Sequence, residues 1–439
     1  MATDPIFQPL KFRNLTIKNR VLRSNISGRF DNYDGSGSQT RINWELKFAR
    51  GAVGAVLSSF VSVAIRGRIM PNYATIDRDD RIPFWRELGR QVHELDCKYI
   101  LQLSHAGRQR DMQGIEFAHV KGLSSTDQPE PLNGFECERM TLKQIKETVD
   151  AFAAGARRAR QAGLDGVELH GANGYLITQF LSSAINDRKD KYGGALRNRA
   201  RFVIEIVEAI RKEVGDDFHL QVKLSSTEFH NALSPREPPG NTLQDSIPIA
   251  QWLEEAGVDA LHISSGSAFP HPKNPPGEFP VAEALETYDV MLSSGTNTLR
   301  NYLMLRSAPL AALYQKAWNQ ARGDVIEGIN LPDARAIKQV VSIPVICTGG
   351  FQTASVIRRA LKKGDCDAVS IARPLVANND LVKMFAEGLD QAPRPCTYCN
   401  KCLVNALENP VGCYEQSRFD SREQMIDQIL SVFQPAPFA

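Results

Sequence analysis

Gly166-Val-Glu-Leu-His-Gly-Ala-Asn-Gly-Tyr-Leu176 is the stretch from which the fold is read. A brief strand-like run reaches His170 and gives way to a turn that carries Asn173 and Tyr175. Upstream, Thr141-Leu-Lys-Gln144 is a capping box opening a helix that ends near Gly163, and downstream Leu196 to Val214 is a long amphipathic helix. The same alternation recurs along the chain, whereas short internal repeats are absent. Strands are predicted at Arg20 to Asn25, Ala52 to Phe60, Lys98 to Leu103, Gly166 to His170, Leu220 to Leu224, Ala260 to Ser264, Pro344 to Thr348 and Ala368 to Ile371. Strands alternating with helices imply a parallel sheet. Their number, eight, favours an α/β fold of the closed (β/α)8 TIM barrel type over an open doubly wound sheet, and no G-x-G-x-x-G follows any of them.

The 439 residues leave room for up to three domains of about 150, but one barrel with insertions can occupy about 400. A barrel over 1–390 and a cysteine-bearing extension over 391–439 are expected. Two loops after strands are swollen: Leu233 to Leu243 after the fifth, and about 80 residues after the sixth, including FPHPKNPPGEFP at 269–280. They read equally as surface insertions or as lids that shape a substrate pocket. In the extension, Ser421-Arg-Glu-Gln424 is a second capping box, followed by apolar Met425, Ile426, Ile429, Leu430 and Phe433. That stripe is expected to dock on the barrel, with a dimer contact as the alternative.

Composition narrows the function classes. With 42% hydrophobic and 23% charged residues the chain has an ordinary globular profile, which excludes disorder, collagen and coiled coil. Lys and Arg number 52 against 50 Asp and Glu, so the net charge of +2 offers no field for nucleic acid or anionic lipid, and a small-molecule partner is expected. The start, Met1-Ala-Thr-Asp-Pro-Ile-Phe-Gln, lacks a basic segment leading into an apolar one, and Gly51 to Ile65 is too short and serine-rich to span a bilayer. A cytoplasmic protein is expected.

In such barrels the chemistry sits on the loops after the strands. His170 and Asn173 side chains converging on one point can donate two hydrogen bonds to a carbonyl oxygen and stabilise negative charge growing there. Tyr175, a phenol of ordinary pKa about 10, can deliver the completing proton. A structural strand-end histidine and a plain Gly-Tyr turn read the same residues without chemistry.

The longer run HGANGYLITQFLSSAINDRKDKYGGALRNRARF, 170 to 202, resembles the old yellow enzyme family of flavin-dependent oxidoreductases. The resemblance begins at PLKFRNLTIKNR, 9 to 20, and extends through LQLSHAGR, 101 to 108, to SIARPLVAN, 370 to 378. It implies an eight-stranded barrel holding FMN noncovalently and reduced by NADH or NADPH. His170 and Asn173 would then hold the substrate carbonyl, with Tyr175 as proton donor. Gln102 stands where relatives hydrogen-bond the flavin pyrimidine, and Lys223 where they usually carry an arginine, so the planar fork is lost while the charge is kept. Ser27 matches a Thr or Cys position near flavin N5, although Arg23-Ser-Asn-Ile-Ser-Gly28 departs from the usual Pro-Met-Thr/Cys. Arg29 follows two residues on, where some relatives place a substrate-contacting aromatic. A cation there would favour an acidic substrate, and a solvated surface arginine is the plainer reading.

FMN's phosphate requires backbone N–H groups and a cation at the barrel mouth. Thr348-Gly349-Gly350-Phe351 and Ala372-Arg373 supply them at the ends of strands seven and eight, although a Gly-Gly turn is also an ordinary connection. Of eight cysteines, Cys396, Cys399, Cys402 and Cys413 cluster at C-x2-C-x2-C-x10-C, the spacing of cluster ligands, while Cys97, Cys137, Cys347 and Cys366 are isolated and expected to pack in the core. The cluster spacing resembles the iron-sulfur motif of trimethylamine dehydrogenase and 2,4-dienoyl-CoA reductase, which implies a [4Fe-4S] centre. Zinc and unligated thiols are the alternatives. With 26 residues after Cys413 no second flavin domain is expected, so a cluster would serve a separate electron-transfer partner or the fold.

Three functions are thus set out: NAD(P)H-driven, FMN-dependent reduction of a carbonyl-conjugated alkene; an FMN and iron-sulfur dehydrogenase or demethylase passing electrons to a separate acceptor; and a nonredox barrel with structural zinc. The substrate and the oligomeric state, monomer or homo-oligomer, are left open.

Overall fold

The computed structural model describes residues 4–110, 120–230, 240–268 and 270–433. Eight strands close a parallel barrel: β1 (Val21–Arg23), β2 (Ala55–Leu57), β3 (Lys98–Ser104), β4 (Gly166–Gly171), β5 (His219–Ser225), β6 (Ala260–Ser264), β7 (Val345–Thr348) and β8 (Ala368–Ile371). Each pairs in parallel with the next, and Val369 beside Val21 joins β8 to β1, so the ring has no free edge. The predicted barrel therefore forms.

The helix Leu142–Gln161 opens on the expected capping box, with Gln144 N–H donating to Thr141 Oγ1 at 3.2 Å and Thr141 N–H to Gln144 Oε1 at 2.8 Å. Leu196–Val214 buries Phe202, Val203, Ile206, Val207 and Ile210 on one face, the i, i+3, i+4 pattern of a barrel-coating helix.

Three predicted strands are longer than those observed: the seventh by Pro344 alone, and the first two by departures that serve the barrel mouth. The first stops at Arg23 rather than Asn25 because the chain leaves the sheet there, tied by Arg23 Nη2 to the carbonyl of Ile26 at 2.9 Å. The second spans only Ala55–Leu57, because Ser58 to Phe60 break away before a two-residue strand, Val61–Ser62, rejoins β3.

Of the swollen loops, 231–239 and Phe269 lie outside the described residues. In the second, three helices, Val281–Val290, Thr298–Arg306 and Ala308–Arg322, lie over the C-terminal mouth, and a fourth, Leu331–Lys338, leads back to β7. In the C-terminal segment, Ala392, Ala406, Val411 and Val432 join the same apolar core as the barrel helices. The helix Arg422–Leu430 buries Met425 and Ile429, four residues apart, while Ile426, Leu430 and Phe433 are exposed. Only one edge of the expected stripe faces inward, Ile429 lying against Gly412. Cys97, Cys137, Cys347 and Cys366 are all buried. No helix among the described residues is long and apolar enough to cross a membrane.

A buried ion network braces the first turn after β1. Arg41 donates from Nε and Nη2 to the Asp31 carboxylate at 3.0 and 2.6 Å and reaches Glu45 at 3.2 Å, with all three side chains fully buried. Glu45 also accepts the N–H of Ser59 at 3.0 Å. Removing one member strands a charge in a low-dielectric interior, so Asp31→Ala is expected to cost about 3–5 kcal/mol in urea denaturation. A cost under about 1 kcal/mol would show that the network does not brace the fold.

Candidate functional site

β4 delivers His170 at the mouth, and the turn after it folds Tyr175 back over the imidazole. Asn173 and Gly174 both take positive φ, 59° and 80°. A side chain at Gly174 would have its Cβ only 2.0 Å from the Ser267 carbonyl oxygen, so the turn requires glycine there. The rings of His170 and Tyr175 meet edge-on at 4.7 Å, and Phe60 stands 5.2 Å from Tyr175. Cross-strand register sets Lys223 of β5 beside His170.

These residues border one cavity of about 330 Å³ at the C-terminal ends of the strands. Ser27, His170, Asn173, Tyr175, Lys223, Gly349, Gly350, Ala372 and Arg373 all line it, so nine of the sequence-derived candidates come together. Two do not reach its wall. Gln102 lies beneath, donating from Nε2 to Glu168 at 2.8 Å and leaving Oε1 buried without a partner. Arg29 is exposed, bonded to the carbonyl of Leu407 at 3.1 Å and to Asn72 at 3.3 Å, which is the geometry of the plainer reading of that residue.

Burial sets the charge states. The His170 pKa is driven well below its ordinary value by burial and by the neighbouring Lys223 ammonium, and Nδ1 has no partner. Tyr175 is pushed up by burial and stays a phenol. Lys223 is lowered to about 8 by burial, against the pull of Glu168, and donates to Asn25 Oδ1 at 2.6 Å. Ser27 Oγ accepts the N–H of Phe60 at 2.7 Å.

Asn173 is held by residues the sequence did not single out. Its Nδ2 donates to Asn274 Oδ1 at 3.0 Å and, more weakly, to the Ser265 carbonyl at 3.5 Å. Asn274 precedes Pro275 in the proline-rich insert, which was the only sequence signal for it. Asn25, the partner of Lys223, was visible only as the end of the first predicted strand and as part of an unusual loop.

At the opposite end, Gly350 turns with φ of 68°, and an added Cβ would lie 2.8 Å from the Ile326 carbonyl. Arg373 is buried, donates to the Pro276 carbonyl at 2.8 Å and to Asn400, and stacks 5.3 Å from the Tyr398 ring. A cavity with unpartnered buried polar atoms at its floor, a lysine in its wall and a glycine turn beside an arginine fits a planar heterocycle that carries a phosphate.

Cys396, Cys399, Cys402 and Cys413 border a second, small cavity that shares Arg373 and Asn400 with the first. Burial raises the thiols of Cys396, Cys399 and Cys402, and Cys413 Sγ accepts from Arg418 at 3.0 Å. As placed, no three Cys, His, Asp or Glu side chains among the described residues are arranged to hold a metal ion. The donor set is gathered, but its ligand geometry is not closed.

Residues 5–281 match the model of the NADH:flavin oxidoreductase / NADH oxidase family. The chain belongs to this family. It is 30% identical over 426 residues to an NADH oxidase of Thermoanaerobacter brockii, covering 94% of this chain and 57% of that protein. It is 30% identical over 418 residues to a cinnamate reductase of Clostridium sporogenes, covering 92% and 56%. Among solved structures, a 2-naphthoyl-CoA reductase in complex with 2-naphthoyl-CoA superimposes with a TM-score of 0.75 at 25% identity, over 93% of this chain and 56% of that one. The chain thus spans little more than half the length of each.

The charge state of His170 is open to measurement. Below its ordinary pKa of about 6.5 the unfolded chain binds a proton that the folded site refuses, so this residue's contribution to stability declines as pH falls through that value. Nitrogen chemical shifts of a histidine-labelled protein, assigned by His170→Gln, should report a neutral ring from pH 5 to 8. A titration near 6.5 would contradict the buried, cation-flanked environment.

Proposed function

We propose that this chain is an FMN-dependent oxidoreductase that uses NAD(P)H to reduce a carbonyl-conjugated alkene. The observation that carries the reading is the meeting of His170, Asn173 and Tyr175 with Lys223 and Ser27 on one cavity. Ser27, Lys223, Gly349, Gly350, Ala372 and Arg373 are the residues proposed to hold FMN in that wall, with Gln102 beneath it. Bound there, FMN would supply the hydride for the β-carbon of the alkene.

The roles of this chain's own residues follow from their environments. A neutral His170 presents one N–H and does not protonate the substrate oxygen outright, so it stabilises charge that grows there during the reaction. Asn173 supplies the second donor, and its 3.5 Å contact to Ser265 is the one a substrate carbonyl would replace. Asn274 keeps the amide oriented. Tyr175, protonated throughout the neutral range, gives its proton to the α-carbon. Arg373 and the glycine turn hold the phosphate end, away from the reacting carbons.

Tyr175→Phe should slow alkene reduction about a hundredfold, within the range for losing a general acid, while reduction of the flavin by NAD(P)H changes less than about twofold in stopped-flow. Equal loss in both half-reactions would remove Tyr175 from the proton-donor role.

A second reading rests on Arg373 and Asn400 bordering both cavities. In it, Cys396, Cys399, Cys402 and Cys413 would hold an iron-sulfur cluster, which would supply one-electron transfer toward a separate acceptor; structural zinc in the same thiols would be the nonredox variant. Iron, zinc and released flavin measured on one anaerobic preparation separate these. About four irons per chain supports the cluster; about one zinc and no iron supports a structural site. Flavin without either metal leaves the reductase with idle thiols.

A further inference from the structure

The large apolar side chains that stay in solvent are not scattered over the surface. Of thirteen exposed among the described residues, seven fall between Val290 and Val325, on and beside the second and third insert helices. Thr298–Arg306 buries Thr298, Asn301 and Leu305, and Ala308–Arg322 buries Ala311 and Trp318. On that inner side Leu305 and Trp318 join Phe279 in an apolar cluster at the cavity wall. The edges turned away from the protein carry Leu299 and Leu303, one turn apart, and Leu310 and Leu313, three residues apart. Each of these four leaves about half or more of its surface in water. The helix pair is thus apolar on two sides, and only the inner one is covered, which marks the outer one as a contact surface.

The charge beside these leucines has one sign. Residues 290–323 contain Arg300, Arg306, Lys316 and Arg322 and neither Asp nor Glu, with Asp289 and Asp324 flanking the segment. None of the four cations is ion-paired among the described residues: Arg300, for example, meets the amide oxygen of Asn301 at 3.1 Å, and Arg306 lies over the Tyr302 ring at 5.9 Å. The whole-chain net charge of +2 averages this segment away. An isologous contact between two copies through the face would set its four cations against the same four. Anchors of protein interfaces are chiefly Trp, Tyr and Arg, with Leu and Val under-represented, whereas the exposed apolar residues here are leucine and valine alone. Aliphatic side chains beside unneutralised cations match a surface that is anionic outside and hydrocarbon beneath.

We infer that Thr298–Arg306 and Ala308–Arg322 form a docking face for an anionic lipid surface, the leucines entering the boundary between headgroups and acyl chains and the basic side chains meeting lipid phosphates. The contact is peripheral, since helices of nine and fifteen residues are too short to span a bilayer. It sets the roof of the cavity against the lipid, and it does not depend on the reaction proposed above.

Co-sedimentation of the full chain with vesicles tests the inference. Binding to vesicles of phosphatidylglycerol and phosphatidylcholine, about one to three, should be at least about tenfold tighter than to phosphatidylcholine alone, as several cations at about fivefold each predict, and should fall steeply between about 0.05 and 0.5 M salt. Leu303→Glu combined with Leu313→Glu, both at exposed positions, should weaken binding to the anionic vesicles at least about tenfold with the thermal unfolding midpoint unchanged. Arg306→Gln combined with Lys316→Gln, which leaves the leucines in place, should also weaken it about tenfold or more. Binding no tighter to anionic than to neutral vesicles, or binding that both double variants retain, overturns the proposal. So does a dimer seen by light scattering without vesicle binding and abolished by the leucine variants, a result that gives the face to a second copy of this chain.

Discussion

The carboxylate of Glu168 lies inside the barrel with no solvent exposure, and the polar interior is organised around it. Burial favours its neutral form, yet the His262 imidazole, the Lys223 ammonium and the Gln221 amide together hold its pKa down at about 2. His262 meets it at 2.8 Å and Gln221 at 2.5 Å, while the other oxygen takes the Gln102 amide at 2.8 Å. An unpaired charge in that position would be ruinous, so the surrounding side chains have little freedom. Gln102 is thereby turned with its carbonyl oxygen unspent, and a negative centre lies below the lysine and histidine of the mouth. The charge pattern proposed to receive a flavin is therefore fixed from beneath.

Above that floor, the site is assembled from segments far apart in sequence. Asn274 of the insert orients Asn173, Asn25 of the first loop takes Lys223, and Asn400 of the C-terminal segment takes Arg373. Each asparagine supplies an acceptor to a donor at the cavity wall. The insert is thus more than a cover, since it supplies the partner of a proposed catalytic amide from one end and the apolar wall from the other. The helix Lys401–Asn405 carries the third clustered cysteine, Cys402, and packs against the insert helix Val281–Val290, so the cysteine segment and the cavity wall share an element.

Much of the fold was legible in the sequence because barrel strands and their coating helices carry local signals. The Thr141 capping box, the spacing of Phe202, Ile206 and Ile210, and the strand ending at His170 are each determined within a few residues. The candidate residues at strand ends were legible for the same reason: in a parallel barrel every strand delivers its last residues to one mouth. Ser27 and Arg29 both lie beyond the end of β1 at Arg23, where strand register no longer fixes direction, and of the two readings of Arg29 the exposed arginine is the one its placement fits. The C-terminal stripe was half legible. Periodicity marked Met425 and Ile429 but also marked Ile426 and Leu430, and only packing against Gly412 decided which edge turned inward.

By itself, the sequence determined an eight-stranded barrel, nine of the residues that meet at its mouth, and four cysteines at ligand spacing. The barrel and its strand ends depend on short-range periodicity, capping and the parallel topology, whereas Ser27 and Lys223 were marked by the resemblance to the old yellow enzyme family. Tertiary structure alone decided that Asn274 holds Asn173, that Lys223 answers to Asn25 above and Glu168 below, and that three insert helices line the pocket with hydrocarbon. Such contacts join residues about 100 to 200 positions apart, where hydrogen-bond pairing and burial are settled by how the closed barrel brings loops together, and no local pattern records them.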